Sequence, residues 1–170
     1  FPQLKVENLR GNVNRRLQRL DDGDFDAIIL AAAGLLRLQM AGRIRQRIPT
    51  GIMLPAVGQG AVGVQCRADD AKTTSLLAPL DHVPTHARIT AERAANAHLG
   101  GGCHLPIGAF AEIEGEQLRL RGLVGRPDGS NILFASAKGL VSEAEAVGHT
   151  LADDLLGQGA KALLQEFANA

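Results

Sequence analysis

The spacing of apolar and polar residues predicts alternating strands and helices in the first third of the chain. Residues 4–9 have the composition of a short strand, and residues 12–20 that of a helix with Asn12 as its N-cap. The nearly continuous apolar run 25–33 predicts a central strand covered on both faces. A helical stretch is expected to begin at Gly34. This alternation is typical of an α/β domain.

Strand-like and helical segments continue through the middle of the chain. Residues 52–57 and 64–66 have the apolar character of short strands. A helix is expected to follow Asp69–Asp70 and to end near Pro79.

The second half of the chain has a different order of elements. A helix is expected from Thr85 to about His98, where three consecutive glycines follow. Ser142-Glu143-Ala144-Glu145 has the form of a capping box for a helix that ends near Gly157, and a last helix is expected at 160–168. Turn sequences typical of an antiparallel meander join three strand candidates, 105–113, 117–125 and 131–138. This part is expected to form a separate α+β domain.

Composition places the chain among globular proteins, with 45% hydrophobic and 21% charged residues. The apolar runs are far shorter than the ~18 residues of a membrane-spanning helix. The sequence starts at Phe1 rather than Met, so we expect a cut or processed N-terminus, and we expect no secretory signal. A cytoplasmic location is therefore expected. The two cysteines, Cys66 and Cys103, could form one disulfide, but in that compartment two reduced thiols are expected.

The formal charge is zero but is unevenly distributed. Residues 1–80 contain 11 Lys and Arg against 7 Asp and Glu, and residues 81–170 contain 7 against 11. The first part therefore suits an anionic ligand, although ordinary solvated surface explains the difference equally well. Nucleic acid is a poor candidate, because basic residues alternate with acidic ones and stacking aromatic residues are scarce.

A glycine-rich motif at residues 58–63 matches the dinucleotide-binding pattern G-x-G-x-x-G. That pattern requires a helix to begin inside the motif, with its N-terminus facing the pyrophosphate. Val62 and Val64 favour extended backbone instead. A dinucleotide enzyme is therefore the weakest interpretation, and a tight turn where the backbone approaches a ligand is preferred.

Four arginines lie around the predicted first helix. Arg10 and Arg16 bracket Gly11-Asn12, where the chain turns tightly, and guanidinium groups bind carboxylates through two parallel hydrogen bonds. We therefore predict a ligand role for Arg10 and Arg16. Arg15 and Arg19 are expected to pair with nearby acidic residues instead, namely Glu7, Asp21 or Asp22.

Cys103 follows Gly100–Gly102 and precedes His104, so its thiol is expected to be accessible on a loop. A neighbouring histidine can lower the pKa of a thiol, and the thiolate is the reactive form. A zinc site that combines His98 with these two residues is disfavoured, because the spacing matches no common ligand pattern. A Cys–His protease is disfavoured too, because the sequence indicates no oxyanion hole. Cys66 lies in a strand-like run and is expected to be structural.

Three stretches together resemble the hydroxymethylbilane synthase (porphobilinogen deaminase) family. These are Leu9-Arg10-Gly11-Asn12-Val13, Leu54-Pro55-Ala56-Val57-Gly58-Gln59-Gly60-Ala61 and Gly101-Gly102-Cys103-His104-Leu105-Pro106-Ile107-Gly108. Residues 26–31 and 90–93 fit the family as well, and the likeness extends in order through the whole chain.

The resemblance implies a three-domain enzyme. Its first two domains are similar to periplasmic binding proteins and form the active-site cleft, and the third is α+β with a three-stranded antiparallel sheet. On that pattern residues 1–57 correspond to the later part of domain 2, and residues 58–80 to a crossover segment of domain 1. Residues 81–170 correspond to domain 3, which contains the cofactor-attachment loop.

The resemblance also implies a reaction and its residues. A dipyrromethane cofactor would be linked to Cys103 as a thioether, and four porphobilinogen units would be joined into the linear tetrapyrrole hydroxymethylbilane with release of ammonia. Arg10 and Arg16 match arginines that bind the acetate and propionate groups of the pyrroles. Five further residues match positions that line the cofactor cleft: Leu30, Ala31, Gly34, Gln59 and Gly60.

The family's catalytic aspartate lies in an earlier part of the enzyme, and no stretch here matches that part. We therefore expect this chain alone to be inactive and to need the N-terminal domain, which a separate fragment could supply. Its other partners would be porphobilinogen and the growing polypyrrole chain, without metal, membrane or nucleic acid, and the full-length enzyme would be a monomer. A non-enzymatic anion-binding module of periplasmic-binding-protein type stays open. Cys103 separates the two, because only the transferase needs its thiol.

Overall fold

The computed structural model of the chain describes residues 3–102 and 105–168. The chain divides into two compact units, Phe1–Pro49 and Thr50–Ala170. Within the described residues no helix has both the length and the apolar character needed to cross a membrane.

Two short helices organise the N-terminal unit. Helix α1, Val13–Asp21, begins where the Asn12 side chain accepts a hydrogen bond from the Arg15 backbone N–H at 2.9 Å. Helix α2 spans Ala32–Arg37, and a 3₁₀ turn follows at Ala41–Arg43. Both helices confirm the sequence prediction, including the Asn12 cap.

The prediction of strands in the first 102 residues is wrong. Residues 3–102 contain no regular strand, only an isolated bridge between Ala56 and Gly108. The run predicted to be a covered central strand is instead open to solvent, and Ile29 is 67% exposed. An extended segment becomes a strand only when a neighbour takes up its N–H and C=O groups, and no described neighbour does so here.

In the C-terminal unit two helices precede the sheet. Helix α3, Ala71–Leu77, begins at Asp70, whose carboxylate accepts a hydrogen bond from the Thr73 backbone N–H at 3.0 Å. Helix α4, Val83–His98, begins two residues before the predicted start, with a proline in its first turn.

The three predicted strands form an antiparallel meander. Strands β1 (Ile107–Glu114), β2 (Gln117–Gly125) and β3 (Ile132–Leu140) lie in the order β1-β2-β3. The register places Ala111 opposite Leu120, and Leu120 opposite Ala137. The prediction of a three-stranded antiparallel sheet is therefore confirmed.

Helices α5 (Ala144–Gly157) and α6 (Ala160–Ala168) complete the unit. Both were predicted, but the capping box at Ser142 was not formed. The residue that caps α5 is Glu143, without a side-chain hydrogen bond, and residues 141–143 form a 3₁₀ turn. The 3₁₀ turn leads directly into α5, so the helix begins without a side-chain cap.

The core lies between one face of the sheet and helices α4 and α5. Leu118, Leu120 and Val124 alternate along β2 and are fully buried, as are Leu151 and Leu155 of α5. Full burial stabilises the fold by about 1.5–3 kcal/mol per large aliphatic side chain. The core is therefore aliphatic, as expected for a chain without Trp or Tyr.

Residues 50–57 are attached to the sheet at two points. The Arg121 guanidinium donates to the Thr50 carbonyl oxygen at 3.0 Å and to the Thr50 Oγ1 at 3.1 Å. It also pairs with Glu112 at 2.9 Å. Together with the bridge from Ala56 to Gly108, these contacts explain why the compact unit begins at Thr50.

Candidate functional site

An arginine-lined cavity of about 450 Å³ lies at the start of α1 in the N-terminal unit. In the described residues neither Arg10 nor Arg15 has an ion pair with an acidic side chain. The cavity therefore offers two unneutralised guanidinium groups beside the N-terminal end of a helix, an arrangement that favours anions. Its lining residues are Asn8, Arg10, Gly11, Arg15 and Arg19.

The turn at Gly11 is shaped by the two arginines that follow it. Gly11 has φ +120°, a left-handed conformation that glycine tolerates far better than other residues. The Arg16 Nε donates to the Gly11 carbonyl oxygen at 2.7 Å. A Cβ at Gly11 would lie 3.3 Å from the Arg15 Cδ, so the Arg15 side chain runs beside the turn.

Arg15 and Arg19 depart from the sequence prediction in different ways. Arg19 forms an ion pair as expected, but with Asp24 at 2.7 Å, and its guanidinium lies 4.7 Å from the centre of the Phe25 ring. Arg15 lacks such a pair in the described part of the chain and lines the cavity. The predicted pairing of Arg15 with an acidic residue is therefore not found among the described residues, and a ligand role for Arg15 becomes a new hypothesis.

Three of the predicted cleft residues lie around the start of α2, in the same unit. Ala31 is the exposed N-cap of α2, and its carbonyl oxygen accepts a hydrogen bond from the Gly34 N–H at 3.0 Å. Gly34 faces α1, since a Cβ there would lie 3.5 Å from the Val13 Cγ2. Leu30 is half-buried.

Gln59 and Gly60 lie in the C-terminal unit, in a segment of consecutive turns. Gly58 has φ +71° and Gly60 has φ +86°, and both Gln59 and Gly60 are exposed. No helix begins within residues 58–63, which contradicts the dinucleotide interpretation. The turns at residues 57–60 agree with the preferred tight turn, and the approach of a ligand there stays a prediction.

Glu92, on α4, joins that turn segment to the sheet. Its Oε2 accepts a hydrogen bond from the Gly58 N–H at 2.8 Å, and its Oε1 accepts one from the Ala111 N–H at 2.9 Å. Burial raises the pKa of the Glu92 carboxyl, while the two backbone hydrogen bonds and nearby Arg88 oppose that shift. Sequence reasoning noted Glu92 only as part of the family resemblance.

The glycines before Cys103 end helix α4 in a Schellman motif. The Gly100 N–H donates to the Ala97 carbonyl oxygen at 2.9 Å, and the Gly101 N–H donates to the Asn96 carbonyl oxygen at 2.8 Å. Gly100 has φ +71°, and any side chain at Gly101 would collide with Asn96. The way in which α4 ends therefore explains why positions 100 and 101 are glycines. Cys103 and His104 lie outside the described residues.

The described residues contain no group of three His, Cys, Asp or Glu side chains arranged to bind a metal. His98, considered above as a zinc ligand, has its Nε2 2.8 Å from the Asp153 carboxylate and its ring 5.0 Å from that of His149. Cys66 is an exposed free thiol, 3.7 Å from the Thr74 hydroxyl. The prediction that Cys66 lies within a strand is wrong, because residues 64–66 form no strand with any described part of the chain.

Two protein-family models match the chain. Residues 1–75 match the model described as porphobilinogen deaminase, dipyromethane cofactor binding domain. Residues 86–157 match the model described as porphobilinogen deaminase, C-terminal domain. Both models describe the same enzyme, they follow each other in the expected order, and together they cover most of the chain. The chain therefore belongs to the porphobilinogen deaminase family, and its first 75 residues match the domain that binds the family's dipyrromethane cofactor.

Proposed function

We propose that this chain is part of a hydroxymethylbilane synthase, which joins four porphobilinogen units into linear hydroxymethylbilane and releases ammonia. The observation that carries the proposal is the cavity lined by Arg10 and Arg15, which lies within the residues matched by the cofactor-binding model. Substrate, intermediates and product of this reaction all carry carboxylates, which are the groups that such a cavity favours.

The residues present fit a dipyrromethane. Its acetate and propionate groups are anions that guanidinium forks bind through paired hydrogen bonds, and the N-terminal end of α1 adds a favourable dipole. Arg10 and Arg15 would hold carboxylates directly. Arg16 would act in part by fixing the Gly11 carbonyl, since its Nε is already bound there. Leu30, Ala31, Gly34, Gln59 and Gly60 remain proposed cleft residues from the family resemblance.

We propose that the cofactor is attached to Cys103 through a thioether. This proposal rests on the family resemblance of Gly101 to Gly108. The Schellman motif at Gly100 and Gly101 is compatible with it, because the motif ends α4 before the cysteine is reached. When bound, the dipyrromethane supplies the pyrrole carbon to which new units are added. The protein's own residues then bind and orient the carboxylates as the chain lengthens.

The domain arrangement is proposed on the same basis. Residues 1–57 would be the later part of a periplasmic-binding-protein-like domain 2, residues 58–80 a crossover segment of domain 1, and residues 81–170 domain 3. The exposed apolar side chains of Val62 and Val64, 80% and 60% accessible, are compatible with a crossover segment that packs elsewhere in the complete enzyme.

We also propose that the 170 residues alone do not turn over porphobilinogen and need the N-terminal part of the enzyme. The complete enzyme would act in the cytoplasm as a monomer, without a metal. Assay of the isolated chain with porphobilinogen tests the first point, since product formation would contradict it. Restored activity on adding a separately produced N-terminal fragment would support it.

The intact denatured mass of the full-length enzyme tests the cofactor and the reaction together. We expect the wild type to carry the added mass of one dipyrromethane on the peptide that contains Cys103. Cys103→Ser should abolish both the added mass and activity, whereas Cys66→Ser should retain both. If the wild type stays bare and inactive after incubation with porphobilinogen, the non-enzymatic anion-binding module becomes the better interpretation.

A further inference from the structure

Glu92 is unusual among the charged residues of the described chain, because it is buried. Only 4% of the residue is exposed, and it lies on α4 between Ala91 and Ala95, which are essentially inaccessible. Burying a carboxylate is unfavourable unless hydrogen bonds replace its water. An apolar residue at this position would avoid that cost, so the carboxylate is expected to have a specific role.

Its two oxygens satisfy two backbone donors that belong to different parts of the unit. Strand β1 is at the edge of the sheet, so its N–H groups that are directed away from β2 need other acceptors. The Ala111 N–H donates to the Glu92 Oε1. The Gly58 N–H donates to the other carboxylate oxygen, the Glu92 Oε2. The side chain therefore connects β1, α4 and the turn segment.

The Gly58 contact comes just before a run of exposed residues, of which Gly60 to Val64 line an open cavity together with α4. Thr50 and Ala56 are held by Arg121 and by the bridge to Gly108, and Val57 packs against the core. From Gln59 to Asp69 every residue is exposed. Gly58 is thus the last point at which this segment is attached before Gln59 and Gly60.

We propose that Glu92 is a positioning residue for the reaction, which holds the turn Val57–Gly60 against α4 and β1 and so fixes where Gln59 and Gly60 meet the pyrrole chain. This inference rests on the proposed function. Glu92 itself would touch neither substrate nor cofactor, and its effect would pass through the Gly58 backbone.

Glu92→Gln in the full-length enzyme is the test. The amide keeps the side chain's size but replaces one acceptor oxygen by a donor, so one of the two backbone N–H groups loses its partner. We expect amide hydrogen exchange at residues 58–61 to become roughly tenfold faster, as for one lost hydrogen bond to a charged group. We also expect KM for porphobilinogen to rise at least about threefold at unchanged cofactor loading.

Glu114→Gln is the matched control, because it makes the same chemical change at an exposed carboxylate of β1 that takes no part in attaching residues 50–58. It should leave KM and the exchange at residues 58–61 unchanged. If Glu92→Gln speeds exchange but leaves KM and kcat at the wild-type values, Glu92 is only structural and the inference is overturned. A wild-type enzyme that is inactive and carries no dipyrromethane would instead overturn the proposed function.

Gly58→Ala provides a second route if Glu92→Gln does not fold. A Cβ at Gly58 meets nothing within 4 Å, but φ +71° is unfavourable for alanine, so the turn is disturbed without disturbing the core. We expect the same rise in KM. Gly63→Ala, also free of contacts but without positive φ, should behave as the wild type. Unchanged KM in Gly58→Ala would overturn the inference.

Discussion

At the scale of single residues, the surroundings of a charged side chain determine what it can do. Arg19 is neutralised by Asp24 and lies over Phe25, so it has little charge to offer a ligand. Arg10 and Arg15 lack such partners among the described residues and line the cavity. Residues of one type, within ten positions of each other, therefore have different expected roles.

Removing Arg10 should weaken substrate binding in the full-length enzyme. Loss of a charge-assisted hydrogen bond costs about 1.5–3 kcal/mol, so Arg10→Leu should raise KM for porphobilinogen roughly tenfold or more. Steady-state kinetics at fixed ionic strength measure this. Arg45→Leu removes an equal charge from an exposed site in the same unit and should leave KM unchanged. If both substitutions raised KM equally, KM would depend on the net charge of the unit and not on Arg10 itself.

The Glu92 carboxyl should make stability depend on pH. Burial raises its pKa in the folded chain above the ordinary value of 4.5, so the folded state holds this proton more tightly than the unfolded state does. Its contribution to the free energy of unfolding is therefore greatest below about pH 4.5 and declines as pH rises through the folded pKa.

Urea unfolding of the 170-residue chain from pH 4 to pH 8 measures that dependence. The free energy of unfolding of the wild type minus that of Glu92→Gln should decrease as pH rises, because the glutamine does not titrate. A difference that increases with pH would show that the hydrogen bonds from Gly58 and Ala111 outweigh the cost of burial.

At the scale of elements, close packing of helices depends on small residues at particular positions. Gly148 of α5 faces α4 so closely that a Cβ would lie 2.7 Å from the Ala94 Cβ and 2.9 Å from the Ala95 nitrogen. Backbone atoms cannot rotate away as a flexible side chain can. The separation of α4 and α5 is therefore set by the absence of a side chain at Gly148.

Gly148→Ala should destabilise the chain by about 1–3 kcal/mol through overpacking. Gly157→Ala, on the same helix but with nothing within 4 Å of the added Cβ, should be neutral or stabilising by up to about 1 kcal/mol. Thermal and urea unfolding of the two variants compare them directly. Similar stability of both would contradict the close approach of α4 and α5.

At the scale of the whole molecule, the two units differ in how much apolar surface they bury. Among residues 3–49 only Leu17 and Leu35 are buried, whereas the C-terminal unit has a continuous core between its sheet and helices. Since buried apolar area is the main stabilising contribution, local stability should differ accordingly.

Amide hydrogen exchange of the 170-residue chain should reveal that difference. Amides of α1 should exchange at least roughly a hundredfold faster than those at the centre of β2, which corresponds to about 2.7 kcal/mol. Helix α4 shares the core of β2 and should be protected to a similar degree. Equal protection of α1 and β2 would contradict the unequal distribution of core residues.

The sequence by itself determined the elements whose signals are local. Asn12 before an amphipathic stretch predicted α1, and turn sequences with one glycine each between apolar runs predicted the meander, because caps and turns depend on neighbours within a few positions. The motifs around Arg10, Gly58 and Cys103 were sufficient to indicate the family that the two family models then identified.

Only the tertiary structure decided which extended segments pair and which charged groups are buried. Residues 25–33 have strand-like composition, yet they have no described partner, and strand formation depends on a partner distant in sequence. Glu92 joins Gly58 and Ala111, which lie 34 and 19 positions away from it, and Arg15 rather than Arg19 remains available in the cavity. Such contacts leave no local pattern, because they depend on how the chain folds back on itself.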